Sequence, residues 1–203
     1  MQLHLNATSP FARVARIVAI EKGLQDQLKL CWSDPWADPA ELLKANPAGR
    51  IPVLITDTGT PIAESLLIAQ YLDAQSAAPA LLPADSLAEV LEQTGCGYGL
   101  MEAAFSTVIH RKHEGSEADH TLLGKRRQQA IERIIATLEA SSQPVADPEA
   151  QQPVNLGQLV VAVALDYVNF RLPEIAWQAK SPALAAWHQT FIQRSSFTET
   201  AFA

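Results

Sequence analysis

The stretch Thr8-Ser9-Pro10-Phe11-Ala12-Arg13 marks the junction between an N-terminal strand and the first helix. Ser9 is predicted to cap that helix, and Pro10 suits its first position, where a backbone N–H would have no partner. The unpaired N–H groups at the start of a helix favour negative charge nearby. Two interpretations are therefore open: Ser9 only caps the helix, or its hydroxyl also faces an anionic group of a ligand.

The residues around this stretch follow strand and helix patterns in turn. Residues 2–6 alternate in polarity like a strand, and the apolar spacing from Phe11 to Val18 predicts a helix that ends at Gly23. The elements predicted next are a strand at 28–31, a loop at 32–38, a short helix at 39–45, a strand at 51–55, a hairpin turn at 57–59, a strand at 60–63 and a helix from Glu64.

No strand pattern follows residue 80. The spacing predicts helices at 85–112, 118–141, 155–171 and 182–194, with an aperiodic loop from Ser141 to Pro153. Asn155 and Gln158 form a capping box before the third of these helices, whose apolar stripe is predicted to be core. The chain is thus predicted to hold an α/β domain at 1–78 and an all-helical domain at 85–203.

Composition excludes several classes of function. The chain has 203 residues, of which 48% are hydrophobic, and a net charge of −7, which argues against nucleic acid or an anionic membrane surface as the main partner. No apolar run reaches the roughly 20 residues of a membrane span, and the start lacks the pattern of a signal peptide. Cys31 and Cys96 form no C-x-x-C motif, so a cytoplasmic, reducing location is predicted.

Pro52 is the second notable residue, because a proline cannot donate a hydrogen bond in a strand. The Ile51–Pro52 peptide is a candidate cis bond, and a trans proline at a sheet edge is the alternative. With a cis bond, the backbone N–H and C=O of Ile51 are expected to face outward. An extended peptide ligand would then pair with them.

Glu64 and Ser65 open the helix after the fourth predicted strand. A helix N-terminus can hold a carboxylate on its N–H groups while a neighbouring glutamate meets an ammonium, which suits the head group of an α-amino acid. The alternative is an ordinary cap with a glutamate favoured by the helix dipole. On this pair alone, the ordinary cap is the preferred interpretation.

The same features recur, in the same order, in a known family. The stretches concerned are Thr8-Ser9-Pro10-Phe11-Ala12-Arg13, Asn46-Pro47-Ala48-Gly49-Arg50-Ile51-Pro52-Val53-Leu54, Ile62-Ala63-Glu64-Ser65 with Ile68 and Tyr71-Leu72, Leu81-Leu82-Pro83, Asn155-Leu156 through Asp166-Tyr167-Val168-Asn169-Phe170-Arg171, and Ser181-Pro182-Ala183-Leu184 to Ser196-Phe197. Together they resemble the glutathione S-transferase family in its bacterial, serine-containing branch. The resemblance covers nearly the whole chain and implies a thioredoxin-like N-terminal domain followed by a helical bundle.

The resemblance also implies roles for individual residues. Ser9 is expected to donate a hydrogen bond to the sulfur of glutathione, a co-substrate, and thereby to stabilise its thiolate. The residues expected to bind the rest of glutathione are Phe11, Arg50, Ile51, Pro52, Glu64 and Ser65. The glycyl end has three possible partners, Trp32, Lys44 and Arg50. Arg13 either adds positive potential or braces the first helix.

The second substrate is expected to be a small hydrophobic electrophile, in a cytoplasmic homodimer without a metal. An acceptor pocket is predicted around Tyr98, Met101 and Phe105, which are equally suited to packing or dimer contacts. His110 and His113 are one turn apart but have no third metal ligand at a suitable spacing, so an exposed helix face is preferred. The competing functions are a glutathione-dependent disulfide or peroxide reductase and a catalytically silent binding module.

Overall fold

A computed structural model describes residues 1–141 and 153–203. These residues form two compact units, one made of Met1–Leu87 with Ser195–Ala203 and the other of Ala88–Arg194. The predicted loop at 141–153 lies outside the described residues, apart from its two ends. The predicted domain limits assign Ser195–Ala203 to the helical part, whereas this segment groups with the first unit.

The described part of the first unit contains a four-stranded sheet with the order β2-β1-β3-β4. Its strands are Gln2–Leu5 (β1), Lys29–Trp32 (β2), Val53–Ile55 (β3) and Pro61–Ala63 (β4). Strands β1 and β2 are parallel, while β3 is antiparallel to both β1 and β4. The first two strands are joined by a helix, and the last two form a hairpin around the turn predicted at 57–59, where Gly59 has a φ of +82°.

Helices make up most of the remaining described structure. In chain order they are Pro10–Glu21 (α1), Ala40–Ala45 (α2), Ser65–Ala74 (α3), Leu87–Glu114 (α4), Leu122–Ser141 (α5), Leu156–Arg171 (α6), Pro182–Phe191 (α7) and Ser195–Thr198 (α8). Short 3-10 helices occupy Gln25–Gln27, Pro35–Ala37, Ala84–Ser86, Ser116–Asp119, Pro173–Ile175 and Trp177–Ala179. The β-α-β-α-β-β-α order, followed by a largely helical region, confirms the predicted fold class.

Among the strand boundaries that differ from the predicted ones, two have a local reason. Strand β3 begins at Val53 rather than at residue 51, because Pro52 has no N–H to give to the ladder. Strand β1 ends at Leu5, since the side chain of Asn6 accepts hydrogen bonds from the N–H groups of Thr8 and Ser9 instead. Both changes lengthen loops at the same end of the sheet.

The core of the first unit lies where α1 and α3 pack together and against the sheet. All side chains of β1 after Gln2 are buried, and so are Val53 and Leu54 of β3. Helix α1 buries Val14, Ile17 and Val18, each fully. Because both faces of the central strands are covered, the residues that follow these strands are held on a rigid support.

Helix α6 is the core of the second unit. The capping box of Asn155 and Gln158 is formed in both directions, as predicted. Burial extends around the whole circumference, including Val161 and Leu165, whereas the predicted stripe covered one face. At Gly97 of α4 an added Cβ would lie 2.9 Å from the backbone nitrogen of Val161, so that glycine permits α4 and α6 to approach closely. No described helix is both long and apolar enough to cross a membrane.

Candidate functional site

The predicted site segments meet at one end of the sheet. Across the sheet, His4 of β1 lies opposite Val53 of β3, and Val53 lies opposite Ala63 of β4. Ser9 follows shortly after β1, Ile51 and Pro52 directly precede β3, and Glu64 directly follows β4. The pairing therefore brings all three segments to the same end of the sheet, here called the site edge, although 55 positions separate Ser9 from Glu64 in the sequence.

Ser9 is the N-cap of α1. Its hydroxyl oxygen accepts a hydrogen bond from the N–H of Ala12 at 3.2 Å, while its own N–H donates to Asn6 Oδ1 at 2.8 Å. A serine hydroxyl has one proton and two lone pairs, so accepting from Ala12 leaves the proton for a second partner. Ser9 is 9% exposed, which keeps that hydroxyl largely out of bulk water. The capping role is therefore compatible with a second hydrogen bond.

The loop before β3 is organised by Asn46, whose side chain is buried. Its Nδ2 donates to the carbonyl oxygen of Arg50 at 3.0 Å, and its Oδ1 accepts from the N–H of Ala48 at 3.1 Å. Gly49, with φ +64°, completes the loop in a conformation that favours glycine. The Ile51–Pro52 peptide that follows is cis.

Glu64 precedes α3 in an unfavourable backbone conformation. Its φ and ψ are +69° and 119°, a region that costs a residue with a side chain about 1–3 kcal/mol. The Glu64 side chain is exposed and makes no capping hydrogen bond to its own helix. Ser65, the next residue, is 3% exposed. The strain thus places a carboxylate at the helix N-terminus without using it as a cap.

The remaining predicted binding residues lie around this edge. Trp32 ends β2 opposite Leu5 and is 58% exposed, and the N–H of Ser33 donates to the carbonyl oxygen of Leu5 at 2.8 Å. Arg50 is exposed and Phe11 is half-buried. The indole of Trp32 has the Arg16 guanidinium 5.6 Å from its ring centroid. Which of Trp32, Lys44 and Arg50 meets a ligand stays a prediction.

His4 is the buried residue of β1 that lies opposite Val53, and its pKa is lowered. Burial lowers the pKa below 6.5 because it disfavours the charged ring, and the nearby Glu41 carboxylate offsets part of that effect. The ring Nδ1 is 3.2 Å from the Ser33 hydroxyl, which links β1 to the loop after β2. Protonation of His4 is therefore unfavourable in the folded chain.

We expect His4 to make the protein less stable in mild acid. The pKa of His4 is lower in the folded than in the unfolded state. The stability that neutral His4 contributes is therefore fully present above pH 6.5 and is lost as the pH falls through the folded-state pKa. The melting temperature of His4→Gln should fall less than that of wild type between pH 7.5 and pH 5. The exposed His120 is the matched control, and His120→Gln should follow wild type. Identical pH profiles for wild type and His4→Gln would contradict this assignment.

The predicted acceptor residues lie on α4 in the second unit. Met101 is fully buried there, while Tyr98 and Phe105 are half-buried. Nδ1 of His110 is 2.7 Å from the carbonyl oxygen of Ser106, within its own helix. Across residues 1–141 and 153–203, no three His, Cys, Asp or Glu side chains are grouped so as to hold a metal ion. The acceptor pocket remains a prediction.

Known proteins share both the sequence pattern and this fold. Residues 8–75 match the family model described as Glutathione S-transferase, N-terminal domain. The uncharacterized GST-like protein YibF from Escherichia coli is 29% identical over 202 residues, covering 98% of each chain. A glutathione transferase family member from Pseudomonas fluorescens, solved with bound glutathione, has a TM-score of 0.88 at 29% identity, covering 100% of this chain and 98% of its own. Residues 8–75 thus match the N-terminal domain of the glutathione S-transferase family, and the chain as a whole is similar to GST-like proteins.

A second solved structure is similar to this chain over its whole length. It is a glutathione S-transferase from Methylobacterium radiotolerans in complex with glutathione sulfonate, with a TM-score of 0.85 and 27% identity. The match covers 100% of this chain and 95% of the Methylobacterium radiotolerans chain. The likeness thus extends through both units.

Sequence reasoning missed three residues, two that hold loops of the candidate site and one that holds the end of α1. Asn6 fixes the loop before Ser9, and an asparagine two residues before a turn is a recognisable local pattern. Asn46 was matched to the family without a role, yet it holds the loop before Ile51. Lys22 connects the end of α1 to Asp73 and to the residues after α3. No local pattern indicates that last connection, because its partners are more than 50 positions away.

Proposed function

We propose that this protein is a glutathione transferase that binds glutathione at the edge formed by Ser9, Ile51–Pro52 and Glu64–Ser65. The observation that carries the proposal is the row His4–Val53–Ala63, which brings these three segments to one end of the sheet. The glutathione-bound relative of Pseudomonas fluorescens supports the choice of ligand. Ile51 would pair through its backbone with the cysteinyl amide of that tripeptide.

Ser9 is assigned to the sulfur. The thiolate is the nucleophile, and a thiol with a pKa near 8.5 is mostly protonated at neutral pH. The Ser9 hydroxyl, which already accepts from Ala12, has its proton to donate to the sulfur. The N-terminal end of α1 adds a favourable field for negative charge. Each unit of lowered thiol pKa corresponds to about 1.4 kcal/mol, within the range of one hydrogen bond to a charged group.

Glu64 and Ser65 are assigned to the γ-glutamyl end. The first N–H groups of α3 have no partners within the helix and suit the α-carboxylate of the ligand. The exposed Glu64 carboxylate, which makes no capping bond, suits the ammonium. The α-carboxylate of the head group would thus meet N–H donors, and its ammonium would meet a carboxylate.

The activated thiolate is proposed to attack a small hydrophobic electrophile in a cytoplasmic homodimer, with Tyr98, Met101 and Phe105 in the acceptor pocket. The new bond joins sulfur to the electrophilic carbon, and the electron pair passes to the leaving group or to the conjugated system of the electrophile. Ser9 has no sulfur with which to form a mixed disulfide, so conjugation is favoured over disulfide reduction through this residue.

Two substitutions at Glu64 test the binding site. Because both remove the carboxylate, Glu64→Ala and Glu64→Gly should each weaken glutathione binding by about tenfold or more, measured by calorimetry. Their stabilities should differ. At φ +69° alanine keeps the backbone strain and glycine relieves it, so the glycine variant should be about 1 kcal/mol more stable than the alanine variant.

Asp26 provides the matched control. It is an exposed carboxylate in the 3-10 helix before β2, at the opposite end of the sheet, since β2 begins beside Gln2. Asp26→Ala should bind glutathione as wild type does. Undiminished affinity in both Glu64 variants would remove Glu64 from the site, and a wild-type protein that does not bind glutathione would reject the proposed function.

A further inference from the structure

The side chain of Arg13 is held by a distant segment of the chain. Its Nε donates to Thr200 Oγ1 at 3.3 Å, and a terminal guanidinium nitrogen donates to the carbonyl oxygen of Phe197 at 3.2 Å. Its Cζ lies 5.3 Å from the ring centroid of Phe197 and 4.4 Å from that of Phe202. Two hydrogen bonds and two aromatic faces thus fix the guanidinium, and Arg13 is only 4% exposed.

The partners of Arg13 are themselves fixed. Thr200 Oγ1 donates to the carbonyl oxygen of Ser196 at 2.6 Å, and Phe197 is 1% exposed. Two further hydrogen bonds join the same segment to α1, from Ser196 Oγ to Glu21 and from Arg16 to the carbonyl oxygen of Glu199. Residues 195–202 therefore contact α1 at several positions along its length, and Arg13 is the contact nearest the N-terminus of α1.

Arg13 is also connected directly to Ser9. Its N–H donates to the carbonyl oxygen of Ser9 at 3.0 Å, the hydrogen bond that closes the first turn of α1. Residues four apart lie on the same face of a helix, and a helical side chain covers the turn that precedes it. The fixed Arg13 side chain consequently restrains the turn that begins with Ser9.

We propose that residues 197–202 position Ser9 by holding the side chain of Arg13, which is thus a positioning residue of the site. The inference rests on the proposed function, in which the Ser9 hydroxyl meets the sulfur of glutathione. A hydrogen-bond donor must be held within about 0.5 Å to act on a developing charge. The segment and α1 together provide that restraint.

The test uses variants that release Arg13 without altering α1. Thr200→Val removes the acceptor of Arg13 Nε, and Phe202→Ala removes the closer ring. Thr200→Ser, which keeps the hydroxyl, should restore wild-type behaviour. Thr198 is the matched control, because it ends α8 two residues before Thr200, is exposed, and donates its hydroxyl to the carbonyl oxygen of Ser195. Thr198→Val should behave as wild type does.

Two measurements separate positioning from general stability. Amide hydrogen exchange of Ala12 and Arg13, whose N–H groups bind Ser9, should become about fivefold faster in Thr200→Val and Phe202→Ala. The amide of Ile68, which donates to Glu64 at the start of α3, should be unaffected. The pKa of the bound glutathione thiol should rise by about half a unit, about a threefold decrease in its ionisation constant, with glutathione affinity unchanged within about twofold.

Unchanged exchange at Ala12 and Arg13 in both variants would overturn the proposal. So would faster exchange with an unchanged thiol pKa, because the segment would then contribute stability alone. A wild-type protein that binds glutathione but leaves its thiol at the unbound pKa would instead reject the proposed role of Ser9. Faster exchange in the two variants would in that case still support the link from residues 197–202 to Ser9.

Discussion

In Ser9→Ala, the pKa of bound glutathione is expected to rise by about one to two units, and conjugation at pH 7 to fall by about 10- to 100-fold. A hydrogen bond to a charged group contributes roughly 1.5–3 kcal/mol, and the alanine methyl group cannot donate one. The thiolate absorbance of the bound tripeptide, titrated against pH, measures the shift directly. Glutathione affinity below the thiol pKa should change little, because the binding groups proposed at Ile51 and Glu64 remain.

A cap-preserving variant separates catalysis from helix capping. Alanine at the N-cap also costs about 1 kcal/mol of stability, because Ala12 loses its acceptor. Ser9→Asp keeps a good capping residue, but an ionised carboxylate can only accept hydrogen bonds and repels a thiolate. Ser9→Asp should therefore be more stable than Ser9→Ala and have an even higher thiol pKa.

The neighbouring hydroxyl of Thr8 is the control for position. It lies 3.5 Å from Asn6 Oδ1 and does not cap α1. Thr8→Val should keep the thiol pKa of wild type within about 0.3 units, less than 0.5 kcal/mol. If wild type and Ser9→Ala gave the same thiol pKa, Ser9 would have no part in thiolate formation.

Lys22→Met is expected to destabilise the first unit by about 3–5 kcal/mol, the largest effect on stability that we expect from one substitution. The Lys22 ammonium is 2.8 Å from Asp73 Oδ1, 2.8 Å from the carbonyl oxygen of Ala78 and 2.9 Å from that of Pro79. Its side chain is 1% exposed. Removing it leaves the Asp73 carboxylate, itself 13% exposed, without its ammonium. Urea unfolding measures the loss.

Lys29, exposed on β2, provides the matched substitution. Lys29→Met should change the free energy of unfolding by no more than about 0.5 kcal/mol, as is usual at the surface. Adding Asp73→Asn to Lys22→Met should recover part of the loss, because the amide oxygen can still accept from the N–H of Leu81 while the buried charge is gone. A Lys22→Met protein as stable as Lys29→Met would show that this buried ion pair contributes nothing net.

The sequence predicted the elements of the fold because their determinants are local. The Ser9–Pro10 cap, the box of Asn155 and Gln158 and the turn at 57–59 each involve residues within four positions of one another. Apolar spacing located α1 and α6 for the same reason. Where a side chain redirected the backbone, as Asn6 does at the end of β1, the predicted boundary was wrong by one residue.

The sequence left alternatives at Arg13 and Glu64 that depended on contacts. Arg13 was expected either to add positive potential or to brace the first helix, and its bonds to Phe197 and Thr200 show that it braces. Glu64 was expected either to cap α3 or to face a ligand. Its strained backbone and the absence of a capping bond from its side chain exclude an ordinary cap, and the contact with glutathione remains a proposal.

By itself, the sequence determined the secondary-structure elements and the candidate residues that they present, since caps, prolines and hydrophobic periods act over a few residues. Only the tertiary structure decided which of them meet. The register of His4, Val53 and Ala63 sets three loops at one edge, and the partners of Arg13 lie 184 and 187 positions along the chain. Pairing across such separations depends on the packing of whole elements, for which no local pattern exists.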